Sequence, residues 1–283
     1  MGSKLTLVLF FAAWFGTALA VAEEGGQAAI PHLGEKGLAG YQDYMASAEH
    51  KAFVIAPGGT WAWSAEQSTP DMALDTALEE CGGYTEQKCV PYAQDDSVVF
   101  DAQRWSGLWG DYANAEDAAK AKVGTKRGER FPDLRLVAAD GDVVSLEKHR
   151  GHVVMLHFWG SWCPSCAHEL PDLAKLRQRL QADKLDVEML FVPVREDAAE
   201  SRAWLKTKHL DLPVFDGGAS DMGEESLALA DGTRLSDRTL AEVFPTTYVL
   251  DKHGMVVFSL SGAPPAWEGY LPFLQDAVSH SGQ

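Results

Sequence analysis

Val153-Val154-Met155-Leu156-His157-Phe158-Trp159 runs directly into Gly160-Ser161-Trp162-Cys163-Pro164-Ser165-Cys166, and Leu170, Leu173, Leu176 and Leu180 follow. The first stretch is almost continuously apolar, as a strand buried on both faces must be. The leucines recur at helical spacing. A strand that turns straight into a helix places Cys163 and Cys166 in the helix's first turn, where two thiols at this spacing close a small disulfide ring. Their surroundings then differ. Cys163 meets unpaired backbone N–H groups and the positive end of the helix dipole, which stabilise a thiolate and make it the attacking sulfur. Cys166, one turn further in and covered, stays a thiol until it resolves a mixed disulfide. A zinc site needs a second ligand pair, and haem attachment needs a histidine directly after the second cysteine, where Ala167 stands. The remaining alternative is an inert structural disulfide, against which the strand–turn–helix context argues.

Around this stretch the chain alternates strands and helices. Leu134-Arg135-Leu136-Val137, the turn Asp140-Gly141 and Val143-Val144-Ser145-Leu146 give a hairpin signal. Strands are expected at 187–194, 246–250 and 255–260, and helices at 198–209 and 266–278. This is the pattern of an α/β sandwich, assigned to residues 130–283. The acidic stretch 216–234 reads as a solvated loop, or as a lid or partner-docking loop.

The whole chain has 283 residues and a net charge of −17. Its length suggests two modest domains, and its acidity argues against nucleic-acid binding. Residues 1–22 carry Lys4, an apolar run and small residues at Ala18-Leu19-Ala20 and Ala20-Val21-Ala22. That is the pattern of a cleaved secretory signal peptide, so no stable membrane insertion is expected after cleavage. Such a protein is periplasmic or otherwise exported, in a compartment where disulfides persist. Residues 32–109 read as a small α+β domain. Phe53-Val54-Ile55-Ala56 and Trp61-Ala62-Trp63 are strands around a Pro57-Gly58-Gly59 turn, and Thr69 caps a helix that Gly82-Gly83 ends. Cys81 and Cys89 bracket a tight segment and read as a structural disulfide; a second redox pair or half a metal site is the alternative. Residues 110–129 read as a linker with a short helix capped by Asn114 and a solvated end at Lys126-Arg127-Gly128-Glu129-Arg130.

Phe158-Trp159-Gly160-Ser161-Trp162-Cys163-Pro164-Ser165-Cys166, followed by Glu169-Leu170-Pro171, resembles the thioredoxin-like proteins of the TlpA/ResA group, which are exported bacterial thiol–disulfide oxidoreductases. Phe244-Pro245-Thr246-Thr247-Tyr248-Val249-Leu250-Asp251 is similar to that family's cis-proline strand. The resemblance spans about 128–277. It implies a thioredoxin-like fold, with a central mixed sheet flanked by helices and an N-terminal hairpin extension. It implies exchange of the Cys163–Cys166 pair with exported thiol or disulfide proteins, as a reductase, with no bound cofactor and no metal. The implied electron source is a membrane thiol carrier of the DsbD/CcdA type. By the same resemblance Pro245 is cis and faces the disulfide, Phe244 and Trp162 flank the substrate, and Glu169 modulates the pair. A first-turn glutamate also simply suits the helix dipole. His157 stands where thioredoxins carry a buried acid; it reads as a proton relay to Cys166 or as a satisfied core histidine. Two other functions stay open. A thiol peroxidase of the peroxiredoxin type wants Thr three residues before the reactive cysteine, where Gly160 stands. A non-enzymatic binding or assembly module would use the disulfide structurally. In the N-terminal part, Phe53 to Gly59, Ala77-Leu78-Glu79-Glu80-Cys81 and Cys89-Val90-Pro91-Tyr92-Ala93 resemble a small domain of bacterial secreted proteins, which implies no chemistry.

Overall fold

The computed structural model describes residues 30–282 apart from 86, 106–107, 109–111, 220–224 and 265, so residues 1–22, read above as a signal peptide, lie outside the described residues. The first element is a helix that hydrophobic spacing does not reveal, α1 (Glu35–Ala46). Gly37 and Gly40 lower its intrinsic propensity, by about 1 kcal/mol each relative to alanine. They are there for packing: a Cβ at Gly40 would stand 2.4 Å from the Trp61 ring.

Strands β1 (Ala52–Ile55) and β2 (Trp61–Ser64) pair antiparallel, α2 (Pro70–Tyr84) follows, and β3 (Val90–Gln94) and β4 (Ser97–Val98) complete a sheet of order β2-β1-β3-β4. Thr69 caps α2 by accepting the Met72 N–H at 3.2 Å, with Pro70 at the first helical position. The helix does not stop at Gly82-Gly83. It runs to Tyr84, because neither glycine adopts the left-handed conformation that ends a helix. Successive β1 side chains point to opposite faces. Ala52, Val54 and Ala56 pack with Ala73, Ala77 and Cys81. Phe53 packs among the rings of Tyr41, Tyr44, Trp61 and Tyr92. Cys81 is bonded to Cys89, tying α2 to the approach to β3.

Two short helices come next, α3 (Ala102–Trp105) and α4 (Ala115–Lys120), the latter capped by Asn114. The stretch after α4 has no buried side chain among residues 121–130, but its backbone is paired. Gly128 N–H donates to Val256 O, Gly124 N–H donates to Arg130 O, and Arg130 bridges to Met255. Backbone groups of this stretch pair with a sheet edge, which local composition cannot announce.

The hairpin β5 (Arg135–Val137) and β6 (Val143–Ser145) turns at Asp140-Gly141, where Gly141 has φ 92°. Then come β7 (Val153–Trp159), α5 (Pro164–Ala182), β8 (Val187–Pro193) and α6 (Ala198–Thr207). They are followed by β9 (Ser226–Ala228), β10 (Arg234–Ser236), α7 (Asp237–Leu240), β11 (Thr246–Leu250) and β12 (Val256–Ser261). A 3-10 turn (Trp267–Tyr270) leads into α8 (Leu271–His280), where one continuous helix was expected. The sheet order is β12-β11-β7-β8, with β8 parallel and β11 antiparallel to β7. This mixed sheet with its crossover helix is the thioredoxin-like fold. The stretch 216–234 is not wholly a loop: β9 lies within it and pairs with β10, which begins at its last residue, and Leu227 joins the core. Val154, Leu156 and Phe158 face that core with Leu190, Val192, Tyr248 and Leu250. His157 has the opposite parity and points to α5.

The two kinds of helical glycine are separable by unfolding in urea. Gly40→Ala is expected to destabilise by about 1–3 kcal/mol through overpacking against Trp61. Gly82→Ala, whose Cβ would meet nothing within 4 Å, is expected to stabilise by about 0.5 kcal/mol. Equal effects would refute the packing account of α1.

Candidate active site

Cys163 is the N-cap of α5. Its backbone is extended, and its Sγ accepts the Cys166 N–H at 3.2 Å. Pro164 takes the first helical position, where a missing N–H costs nothing. Cys163 and Cys166 are bonded. The Ser165 hydroxyl lies 3.4 Å from Cys163 Sγ and donates to the Phe244 carbonyl at 3.4 Å. That carbonyl is 3.6 Å from Cys163 Sγ, and the Phe244–Pro245 peptide is cis. Trp162 stands edge-on to Phe244, ring centroids 5.8 Å apart, and its Nε1 donates to Val194 O at 3.0 Å. Cys163, Cys166, Trp162, Phe244 and Pro245 therefore lie together. Cys163 is more covered than a helix N-terminus suggests, 4% exposed against 0% for Cys166. The Phe244 loop and Ser165 close over its sulfur.

Beneath the pair lies a second set of groups. Glu169, one helical turn beyond Cys166, is buried. Its Oε2 accepts Trp267 Nε1–H at 2.8 Å, and its Oε1 is 3.5 Å from His157 Nε2. His157 Nδ1 is 2.8 Å from Thr247 Oγ1, its register partner across β7 and β11. Beyond this approach, His157 Nε2 and Glu169 Oε1 have no hydrogen-bond partner among the described residues. Burial pushes the Glu169 carboxyl up to about 8; the Trp267 hydrogen bond opposes the shift and the Asp172 charge adds to it. Burial pushes the His157 imidazole down to about 3. At neutral pH the carboxyl holds its proton and the imidazole takes none, so the two face each other uncharged. An ion pair here would have to offset the desolvation of both members.

Sequence spacing misses the residues that hold this arrangement in place. Asp237 receives Arg195 through two hydrogen bonds, 2.6 Å from Nε and 3.1 Å from Nη2, with both side chains buried. The Arg195 and Arg238 guanidinium groups lie 5.7 and 5.5 Å from the Phe244 ring centroid. Glu196 accepts from Ser161 N–H and Ser161 Oγ, bracing the turn before Cys163. These partners come from distant segments and leave no local signal. Thr247 alone is recoverable, once β7 and β11 are paired. Cys81 and Cys89 take no part here; they are bonded to each other at α2 and the approach to β3.

Residues 126–267, half of the chain, match the family model described as Redoxin. Thioredoxin-like protein YneN of Bacillus subtilis (strain 168) is 31% identical over 139 residues, covering 49% of this chain and 73% of the relative. Thiol-disulfide oxidoreductase ResA of Bacillus cereus (strain ZK / E33L) is 26% identical over 146 residues, covering 51% of this chain and 76% of the relative. Among solved structures, a secreted thiol-disulfide isomerase from Corynebacterium glutamicum aligns with TM-score 0.42 and 23% identity, covering 54% of this chain and 87% of the other. Since the matched stretch holds both cysteines and the Phe244–Pro245 loop, the chain belongs to the Redoxin family and is a thioredoxin-like thiol–disulfide oxidoreductase.

Proposed function

We propose that this oxidoreductase works outside the cytoplasm as a reductase of disulfides in exported proteins, through Cys163 and Cys166. The observation that carries the reading is the setting of Cys163. Its sulfur caps a helix, receives the Cys166 N–H at 3.2 Å and lies beside the Phe244 carbonyl of the cis-proline loop. In the reduced protein the Cys163 thiolate attacks a substrate disulfide. A mixed disulfide forms, and one substrate sulfur leaves as thiolate and takes a proton from water. Cys166 then loses its proton, and its thiolate attacks Cys163 Sγ. The Cys163–Cys166 bond forms, the bond from Cys163 Sγ to the substrate sulfur breaks, and the second substrate thiolate leaves and takes up, through water, the proton that Cys166 gave up. Two electrons pass from the dithiol to the substrate, with no other carrier bound. A membrane dithiol carrier of the DsbD/CcdA type would return them.

The pattern at residues 1–22 supports export. No helix among the described residues is long and apolar enough to cross a membrane. In this reading residues 130–283 perform the reaction, and 32–109 form a layer beside them. Gly160 stands where peroxide reduction would want a threonine, so thiol exchange is favoured over peroxidase chemistry.

Cys163→Ser is expected to abolish insulin reduction. Cys81→Ser is expected to keep most of it while losing about 2–3 kcal/mol of stability with its disulfide. A folded Cys81→Ser protein without activity would overturn this division of roles. Cys166→Ser, expressed in the exporting cell, is expected to accumulate proteins disulfide-linked to Cys163; recovery of cytoplasmic proteins alone would refute export.

Glu169 should also appear in the pH dependence of stability. In the fold its carboxyl titrates near 8, against 4.5 for an unperturbed group. As pH rises through this window the unfolded chain ionises first, so the fold loses stability. Glu169→Gln is expected to match the parent at pH 4 and to exceed it at pH 8 by up to a few kcal/mol in urea unfolding. A difference that does not change with pH would refute the raised carboxyl.

A further inference from the structure

We infer that the N-terminal layer positions Glu169 through His32, by fixing the Trp267–Tyr270 turn that presents the Trp267 indole to the carboxyl; this rests on the functional reading above. Three N-terminal elements converge on one side of that turn. His32 Nδ1 accepts the Gly58 N–H at 3.2 Å from the turn between β1 and β2. The neutral ring then carries its proton on Nε2, which donates to Gly269 O at 2.8 Å. The same ring stacks on Tyr270 with centroids 4.2 Å apart, and Trp105 of α3 meets it edge-on at 5.4 Å. The fit leaves little slack: a Cβ at Gly269 would lie 3.4 Å from His32 Cδ2, and one at Gly58 would lie 3.3 Å from Phe258.

The other side of the turn belongs to the redox site. Trp267 is 1% exposed; its backbone N–H donates to Asp172 Oδ2 at 2.6 Å and its Nε1 donates to Glu169 Oε2 at 2.8 Å. Its ring packs on Tyr270, centroids 5.0 Å apart. A four-residue turn gripped on both sides cannot yield on one without moving on the other. Glu169 is faced by His157 from β7, by Asp172 from its own helix, and by Trp267 and Tyr270 from the turn. Burial holds the His32 imidazole down at about 4, so it keeps one acceptor and one donor throughout the range in which Glu169 titrates.

The experiment follows the carboxyl 13C shift of Glu169 against pH in the oxidised full-length protein, assigned by its absence in Glu169→Gln. The pH profile of insulin reduction is recorded on the same variants. Trp267→Phe removes the donor that favours the charged carboxyl and is expected to raise the midpoint by about one unit. His32→Ala is expected to raise it by about half a unit. His32→Gln keeps an acceptor for Gly58 and a donor for Gly269 and is expected to reverse most of that shift. Position 32 has φ 60°, so both replacements carry the same backbone strain and the comparison isolates the hydrogen bonds. A folded His32→Ala protein with an unchanged midpoint overturns the proposal. Should His32→Ala not fold, Trp105→Leu removes the edge contact and leaves both His32 hydrogen bonds; it is expected to give a smaller upward shift, and no shift overturns the proposal equally. A midpoint that moves while the insulin-reduction profile stays fixed supports the positioning and overturns the reading that Glu169 modulates the cysteine pair, so the two failures are distinguishable.

Discussion

Residues 160–163 are all that separate the end of β7 from the start of α5, and the geometry of the redox site depends on that short passage. The strand is held between β8 and β11, with Trp159 opposite Pro193 and Phe158 opposite Thr246. Gly160 lies under the Trp162 indole, where a Cβ would come within 2.3 Å of Nε1. The indole is fastened in turn to Val194 O. With both ends fixed, Cys163 falls at the N-cap and Cys166 one turn inside. The chemical inequality of two identical side chains follows from where the strand stops.

Two electrostatic regimes meet at this point. At the helix end, N–H groups and the dipole favour negative charge on Cys163. One turn deeper, burial disfavours charge of either sign, so Glu169 keeps its proton and His157 stays neutral. The rim differs again. In a chain of net charge −17, Arg195 and Arg238 flank Phe244. The aromatic surface beside the sulfur is thus framed by cations while the surrounding protein is acidic. Arg195 is itself paired with Asp237 and Glu225, so its charge is balanced where it stands.

The parts legible in the sequence are those written in consecutive residues. The apolar run of β7, the leucine stripe of α5, the Asp140-Gly141 turn and the caps at Thr69 and Asn114 all act locally. The cysteine pair was legible for the same reason. The illegible parts are set by distant partners. The glycines of α1 look unfavourable until Trp61 is seen against them. The stretch before Phe131 shows no pairing until Val256 is seen to accept the Gly128 N–H and to donate to Glu129 O. Trp267 carries no mark of its hydrogen bond to Glu169, 98 residues away. The sequence reading also treats Gly82-Gly83 as a stop, although glycine ends a helix only when it takes a left-handed conformation.

The contact between His32 and Gly269 spans 237 residues, and that between Tyr112 and Asp276 spans 164. Closing loops of this size is entropically costly before any local reward arrives, and raises the contact order of the whole fold. A chain emerging amino end first would hold the His32 ring without its Tyr270 stack and its Gly269 acceptor until its final turns were available. The first-made part of the protein is therefore among the last to be finished. Extensions, tags or cleavage near the carboxyl end should make themselves felt at the opposite terminus.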